Sequence, residues 1–259
     1  MQVSEQRSSI VIQGFRLETH LWPGTVPRGP TLLLLHEGLG CIALWRDFPK
    51  LLAEATGCTV IAYSRAGYGN SEPCKLPRPL DYMEREADLL EDVVNALKLD
   101  SYVLLGHSDG GSIAALAAGC EQSRLRGLIL LAPHFFVEDI SLRAIRAATE
   151  VYASGELHDR LQRYHADPDI AFHGWSGTWL DPGFREWDIT NVIPNWQCPV
   201  LAIQGTEDPY GTAAQIEVIE RAAAQAETHL LPACGHAPHL ETSDQVLGLI
   251  TTFVGGLSP

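Results

Sequence analysis

Ser108 lies inside Gly106-His107-Ser108-Asp109-Gly110-Gly111, framed by glycines two residues to either side. An apolar run, 102–105, precedes it, and the helix-forming stretch Ser112-Ile113-Ala114-Ala115-Leu116-Ala117-Ala118 follows. A strand that turns directly into a helix strains its central residue, and the turn closes only with glycines at the flanking positions. The serine then projects alone at the positive end of the new helix dipole, where its hydroxyl can act as a nucleophile. A hydroxyl is a weak nucleophile near neutral pH, so this chemistry needs a neighbouring base and a third group to orient it. Two residues stand where such partners belong. Asp208 follows the apolar run 200–204 within Gly205-Thr206-Glu207-Asp208-Pro209, and His236 follows the run 228–231 within Pro232-Ala233-Cys234-Gly235-His236. The chain order serine, aspartate, histidine is the one expected for a nucleophile at such a turn. Glu207 and His239 are the second choices for acid and base. Asp208 leads because Pro209 stiffens its end of the loop, and His236 because Gly235 frees its backbone approach.

These residues must be carried by elements that end at one edge. Eight strands are expected, at 8–12, 15–22, 31–35, 59–63, 102–105, 128–131, 200–204 and 228–231, the first two forming a hairpin around Gly14. Helices are expected at 43–54, with Leu44, Phe48, Leu51 and Leu52 on one side, and at 81–97, where Met83, Ala87, Leu90, Val94 and Leu97 recur at helical spacing. Further helices are expected at 211–224 and 243–253. Pro23, Gly24, Pro27, Gly29 and Pro30 mark a surface turn. Alternating strands and helices imply an α/β fold, a mostly parallel eight-stranded sheet with helices on both faces. The alternation breaks over 134–190, where Ile145, Ala148 and Tyr152 mark one helix and Leu157, Leu161 and Tyr164 another. The expected organisation is therefore a core of residues 1–133 and 191–259, with 134–190 as an inserted helical cap over the strands' carboxyl edge. Trp175, Trp179 and Trp187 in this insertion, and Phe135 and Phe136 at its edge, either roof an apolar substrate group or pack on one another.

A hydrophobic content of 46% with 19% charged residues describes an ordinary globular chain of 259 residues. Its net charge of −14 argues against nucleic acid and anionic membrane surfaces as partners. No basic segment precedes an apolar stretch at the start, so no signal peptide is expected, and the apolar runs are too short for membrane insertion. The six scattered cysteines suit reduced thiols in a cytoplasmic protein. His236-x-x-His239 lacks the partners of a metal set, so a metal-free site is expected. Gly67-x-Gly69 lacks the third glycine of a dinucleotide fingerprint.

With Gly106-His107-Ser108-Asp109-Gly110-Gly111 as its nucleophile elbow, the chain resembles the α/β-hydrolase superfamily over essentially its whole length. The resemblance implies an oxyanion hole of two backbone amides. One belongs to Asp109, after the nucleophile, and the other to the loop beginning His36-Glu37-Gly38. Glu37 replaces the glycine usual after that histidine, which leaves Gly38 or Leu39 as the second donor, with Gly38 preferred. A carboxylate at Asp109 would oppose a developing oxyanion, so its side chain is expected to turn away and cap the helix. The glycine frame centres on Ser108 and excludes Asp109 as the nucleophile found in related dehalogenases and epoxide hydrolases. The substrate pocket is expected from Leu39, His107, Phe135, Trp175 and Trp179. The implied activity is cofactor-free hydrolysis of a small, partly apolar carboxylic ester through an acyl-enzyme. Other bonds on the same triad (carbon–carbon, thioester, lactone or amide), perhydrolase or haloperoxidase chemistry, and a slow-turnover signalling role are the alternatives.

Overall fold

Alternate residues of the run 31–35 are buried on opposite sides of one sheet: Leu33 and Leu35 join one apolar cluster, Leu32 and Leu34 the other. Side chains alternate along a strand, so a continuous apolar run means that both faces are covered. The computed structural model describes residues 5–26, 29–120 and 123–257. Pro27 of the expected surface turn lies outside the described residues, as do 1–4, 121–122 and 258–259 of the expected core.

Eight strands form a single sheet: β1 (Gln6–Ile12), β2 (Phe15–Trp22), β3 (Thr31–Leu35), β4 (Val60–Tyr63), β5 (Tyr102–His107), β6 (Leu125–Leu131), β7 (Val200–Gly205) and β8 (Glu227–Leu231). Their order is β1-β2-β4-β3-β5-β6-β7-β8. β2 runs against both neighbours, and the pairs from β4 to β8 are parallel. The register aligns Leu35 with Gly106, His107 with Leu131 and Gly205 with Leu231, so the carboxyl ends of five strands open onto the same edge. Ligands in open parallel sheets bind at that edge.

α1 (Phe48–Thr56) covers one face together with the C-terminal helix, through Phe48, Leu52, Val246 and Ile250. The other face carries α2 (Tyr82–Asp88), α3 (Leu90–Ala96) and α4 (Asp109–Ala118), through Met83, Val93 and Ile113. Between β6 and β7 the chain forms α5 (Asp139–Ala153), α6 (Glu156–Leu161) and α7 (Pro168–Trp179). Asp167 caps α7 by accepting from the Ile170 amide at 2.9 Å, and Pro168 fits the first turn, where its missing N–H costs nothing. The chain ends with α8 (Ala214–Ala222), α9 (Pro238–Glu241) and α10 (Ser243–Gly255).

Two expected helices are interrupted. The one expected over 43–54 is a 3₁₀ turn, Ile42–Trp45, followed by α1; between them Arg46 adopts φ of 53° and Pro49 opens the new helix. Leu51, expected on the buried side, is 40% exposed because the break rotates the helical face. The helix expected over 81–97 is α2 abutting α3 at Leu89.

Candidate active site

At the junction of β5 and α4, Ser108 holds φ of 54° and ψ of −121°, a sparsely populated conformation for a residue with a side chain. A Cβ on Gly106 would stand 2.1 Å from the Gly110 carbonyl oxygen, and one on Gly110 would stand 2.1 Å from that of Leu35. Both glycines are therefore required by backbone contact. The Ser108 amide donates to the Leu131 carbonyl at 2.9 Å, fixing the elbow against β6.

Asp208 and His236 arrive from the loops after β7 and β8. His236 Nδ1 lies 2.9 and 2.8 Å from the two Asp208 carboxylate oxygens, and Nε2 lies 2.9 Å from Ser108 Oγ. A carboxylate only accepts, so Nδ1 carries the hydrogen and Nε2 is left to accept from the serine hydroxyl. The Tyr210 amide donates to Asp208 at 2.8 Å. Burial alone would raise the Asp208 pKa, but the hydrogen bond and charge of His236 outweigh it and hold the carboxyl below its usual range. The second choices stand elsewhere: Glu207 is exposed, and His239 is buried against Trp45 and Phe48.

The loop after β3 is held from beneath. Arg65, 1% exposed, donates through Nη1 to the His36 carbonyl at 2.6 Å and through Nη2 to the Glu37 carbonyl at 3.1 Å. His36 Nδ1 and the Gly40 amide also donate to the Glu37 carbonyl. In a trans peptide the C=O and the following N–H point in opposite directions, so the Gly38 N–H faces away from Arg65. Gly38 and Leu39 line the same cavity as Ser108 and Asp109. A Cβ on Gly38 would stand 2.2 Å from Trp175 Cδ1, so a side chain here fits only if the indole gives way.

The cavity above Ser108 measures about 90 Å³. Trp175 and Trp179 from α7 and Leu39 line it as expected; Glu37, His134, Ser141, Ile145 and Tyr210 do so unexpectedly. Of these, His134 and Tyr210 follow strand ends, the positional signal that singles out Asp208 and His236.

Three expectations are corrected here. His107 is not a pocket residue. Its ring is buried behind His236, with Nε2 donating to the His236 carbonyl at 2.7 Å and Nδ1 lying 3.4 Å from the Glu37 carboxylate. Phe135 is fully buried against Trp196, its amide held by Gln215, because it points into the core beneath the edge. Asp109 does turn its carboxylate away, but not to cap α4: it accepts from Tyr82 Oη and, at 3.2 Å, from Trp179 Nε1. Burial raises the Asp109 pKa despite Arg65 and these donors. Trp187 lies outside the cavity, packed on Phe184 and donating to Glu84. For Glu37, burial acts upward, but the neighbouring His107 pulls its carboxyl well below the ordinary range.

Residues 32–249 match the model of the alpha/beta hydrolase family. The chain belongs to that family. Among the proteins it resembles are the human serine hydrolase BPHL, 27% identical over 209 residues covering 76% of this chain and 69% of that protein, and the esterase YbfF of Escherichia coli, 25% identical over 68% of this chain and 75% of that one. A meta-cleavage product hydrolase from Pseudomonas fluorescens shares the fold, with a TM-score of 0.77 at 19% identity over 96% of this chain and 97% of that one. Among the described residues, no helix is long and apolar enough to cross a membrane.

Proposed function

We propose that this α/β hydrolase cleaves small, partly apolar carboxylic esters through an acyl-enzyme, with residues 134–190 acting as a cap over the site. The observation that carries this reading is the unbroken hydrogen-bonded line from Asp208 through His236 to Ser108 Oγ, ending beneath a cavity walled by tryptophans. In the proposed mechanism, Ser108 Oγ attacks the ester carbonyl carbon and its proton passes to His236 Nε2. Asp208 stabilises the imidazolium that results. The carbonyl electron pair moves onto oxygen, which the amides of Gly38 and Asp109 receive at the N-terminus of α4. The intermediate collapses, the alcohol departs with the proton from Nε2, and water attacks the acyl-serine through the same base. A cavity of about 90 Å³ is smaller than the roughly 150 Å³ that accommodates benzene, which favours short acyl groups. The names of two relatives, a serine hydrolase and an esterase, support the same reading.

Purified protein should hydrolyse 4-nitrophenyl acetate. Ser108→Ala should lower kcat on the order of 10⁴-fold or more without changing the far-ultraviolet circular dichroism. A variant with unaltered turnover rules the nucleophile out.

A further inference from the structure

His134 belongs to no part of the mechanism above, yet it lines the cavity beside it. Its main chain is fixed by the nucleophile helix: the amide and carbonyl of His134 both bond to Ser112 Oγ, at 3.2 and 2.6 Å. Its ring stands edge-on to Trp179 at 5.2 Å and 5.7 Å from the ring of His236. The residue is 3% exposed, and its Nδ1 is buried with no hydrogen-bond partner among the described residues. Burial, reinforced by the nearby His236, pushes its pKa down to about 3, so the ring is neutral. An unpaired buried imidazole nitrogen is costly and calls for an explanation. The remaining walls are largely apolar, and among the described residues no lysine or arginine lines the cavity.

Building on the ester-hydrolase reading, we infer that His134 is a specificity-determining residue that hydrogen-bonds a neutral hydroxyl on the substrate, close to the scissile ester. A neutral imidazole offers one donor and one acceptor, and a hydroxyl answers either. A carboxylate would gain no cationic partner here and would meet Glu37 in the same cavity. The preferred substrates are therefore short hydroxylated esters, with the hydroxyl on the acyl or the alcohol side.

Two pairs of near-isosteric esters test this: methyl 2-hydroxypropanoate against methyl 2-methylpropanoate, and 2-hydroxyethyl acetate against propyl acetate. The wild type should favour the hydroxylated member of at least one pair by about tenfold in kcat/KM, as expected for one buried hydrogen bond. His134→Phe should bring that ratio to near one while still turning over the plain ester, and His134→Gln, which keeps a donor and an acceptor, should retain part of the preference. Turnover of both pairs without discrimination by the wild type overturns the inference and leaves the esterase reading standing, as does an undiminished preference in His134→Phe. Turnover of none of the four esters overturns the inference alone if 4-nitrophenyl acetate is still hydrolysed, and both readings if it is not.

Discussion

His107 donates through Nε2 to the backbone carbonyl of His236 at 2.7 Å, so the residue preceding Ser108 also anchors the loop that carries His236. The end of β5 and the loop after β8 are thereby tied together independently of the hydrogen bonds among Ser108, His236 and Asp208. His107→Phe removes the donor and should lower kcat about tenfold, the worth of one buried hydrogen bond, with KM little changed. His107→Gln, which keeps an N–H, should recover part of the loss. Steady-state kinetics of the two variants decides; an unchanged kcat in the phenylalanine variant refutes this anchoring role.

Arg65 holds the carbonyls of His36 and Glu37, so the Gly38 amide, on the far side of the same peptide, faces away from the guanidinium. Its planar fork suits two adjacent carbonyl oxygens in a way a lysine ammonium cannot reproduce. Arg65→Lys should therefore lower kcat by on the order of a hundredfold, comparable to losing one oxyanion donor, while the protein still melts cooperatively. Kinetics within a few-fold of wild type would show that the loop holds its shape without the fork.

Gly38 has no room for a side chain beside an intact Trp175, since a Cβ at 38 would stand 2.2 Å from the indole. Gly38→Ala should cost at least tenfold in kcat/KM, and Trp175→Leu in the same chain should restore much of it by making room. Equal activity of the single and double variants would place the effect in the loop backbone instead. The contact is a close pair, so the two substitutions should be non-additive.

Burial depresses the pKa values of His36, His134 and His239, that of His134 to about 3. Below pH ~6.5 the unfolded chain binds protons at these rings that the native state refuses, so stability falls with falling pH by about 1.4 kcal/mol per unit for each. Asp208, whose folded pKa is lowered, contributes stability above its unfolded pKa that disappears as acid reaches the folded value; Asp109, raised by burial, acts in the opposite sense. Urea unfolding at pH 7, 6 and 5 should show a steady loss of stability. His239→Phe, in a slot lined by Trp45 and Phe48, should reduce the slope by one histidine's share. Parallel slopes in the two proteins would contradict the assignment.

The elbow was readable in the sequence because its logic is local: two glycines, a serine and the change from strand to helix lie within about a dozen residues. The central strands β3, β4, β5 and β7 were equally legible, since a sheet buried on both faces demands unbroken apolar runs. Asp208 and His236 could be picked out because each follows such a run. The cavity wall was not, because it depends on which side chains the folded edge turns inward. His107 and His134 both stand at strand ends and are the same residue type, yet one is buried behind His236 and the other lines the cavity. Asp109 finds its partners at Tyr82 and Trp179, far away in the chain, and no local pattern announces that pairing. Helix boundaries failed where a single residue broke periodicity, as Arg46 does with its positive φ.

Ser108 occupies a backbone region that costs roughly 1–3 kcal/mol for a residue bearing a side chain. Glycine enters that region freely and gives back only about 0.5–1 kcal/mol through its looser unfolded state. Ser108→Gly should consequently melt at a higher temperature than the wild type while hydrolysing nothing. Durability and reactivity thus oppose one another at a single pair of torsion angles, and any heat-hardened descendant that still works must have gained its resilience at other positions.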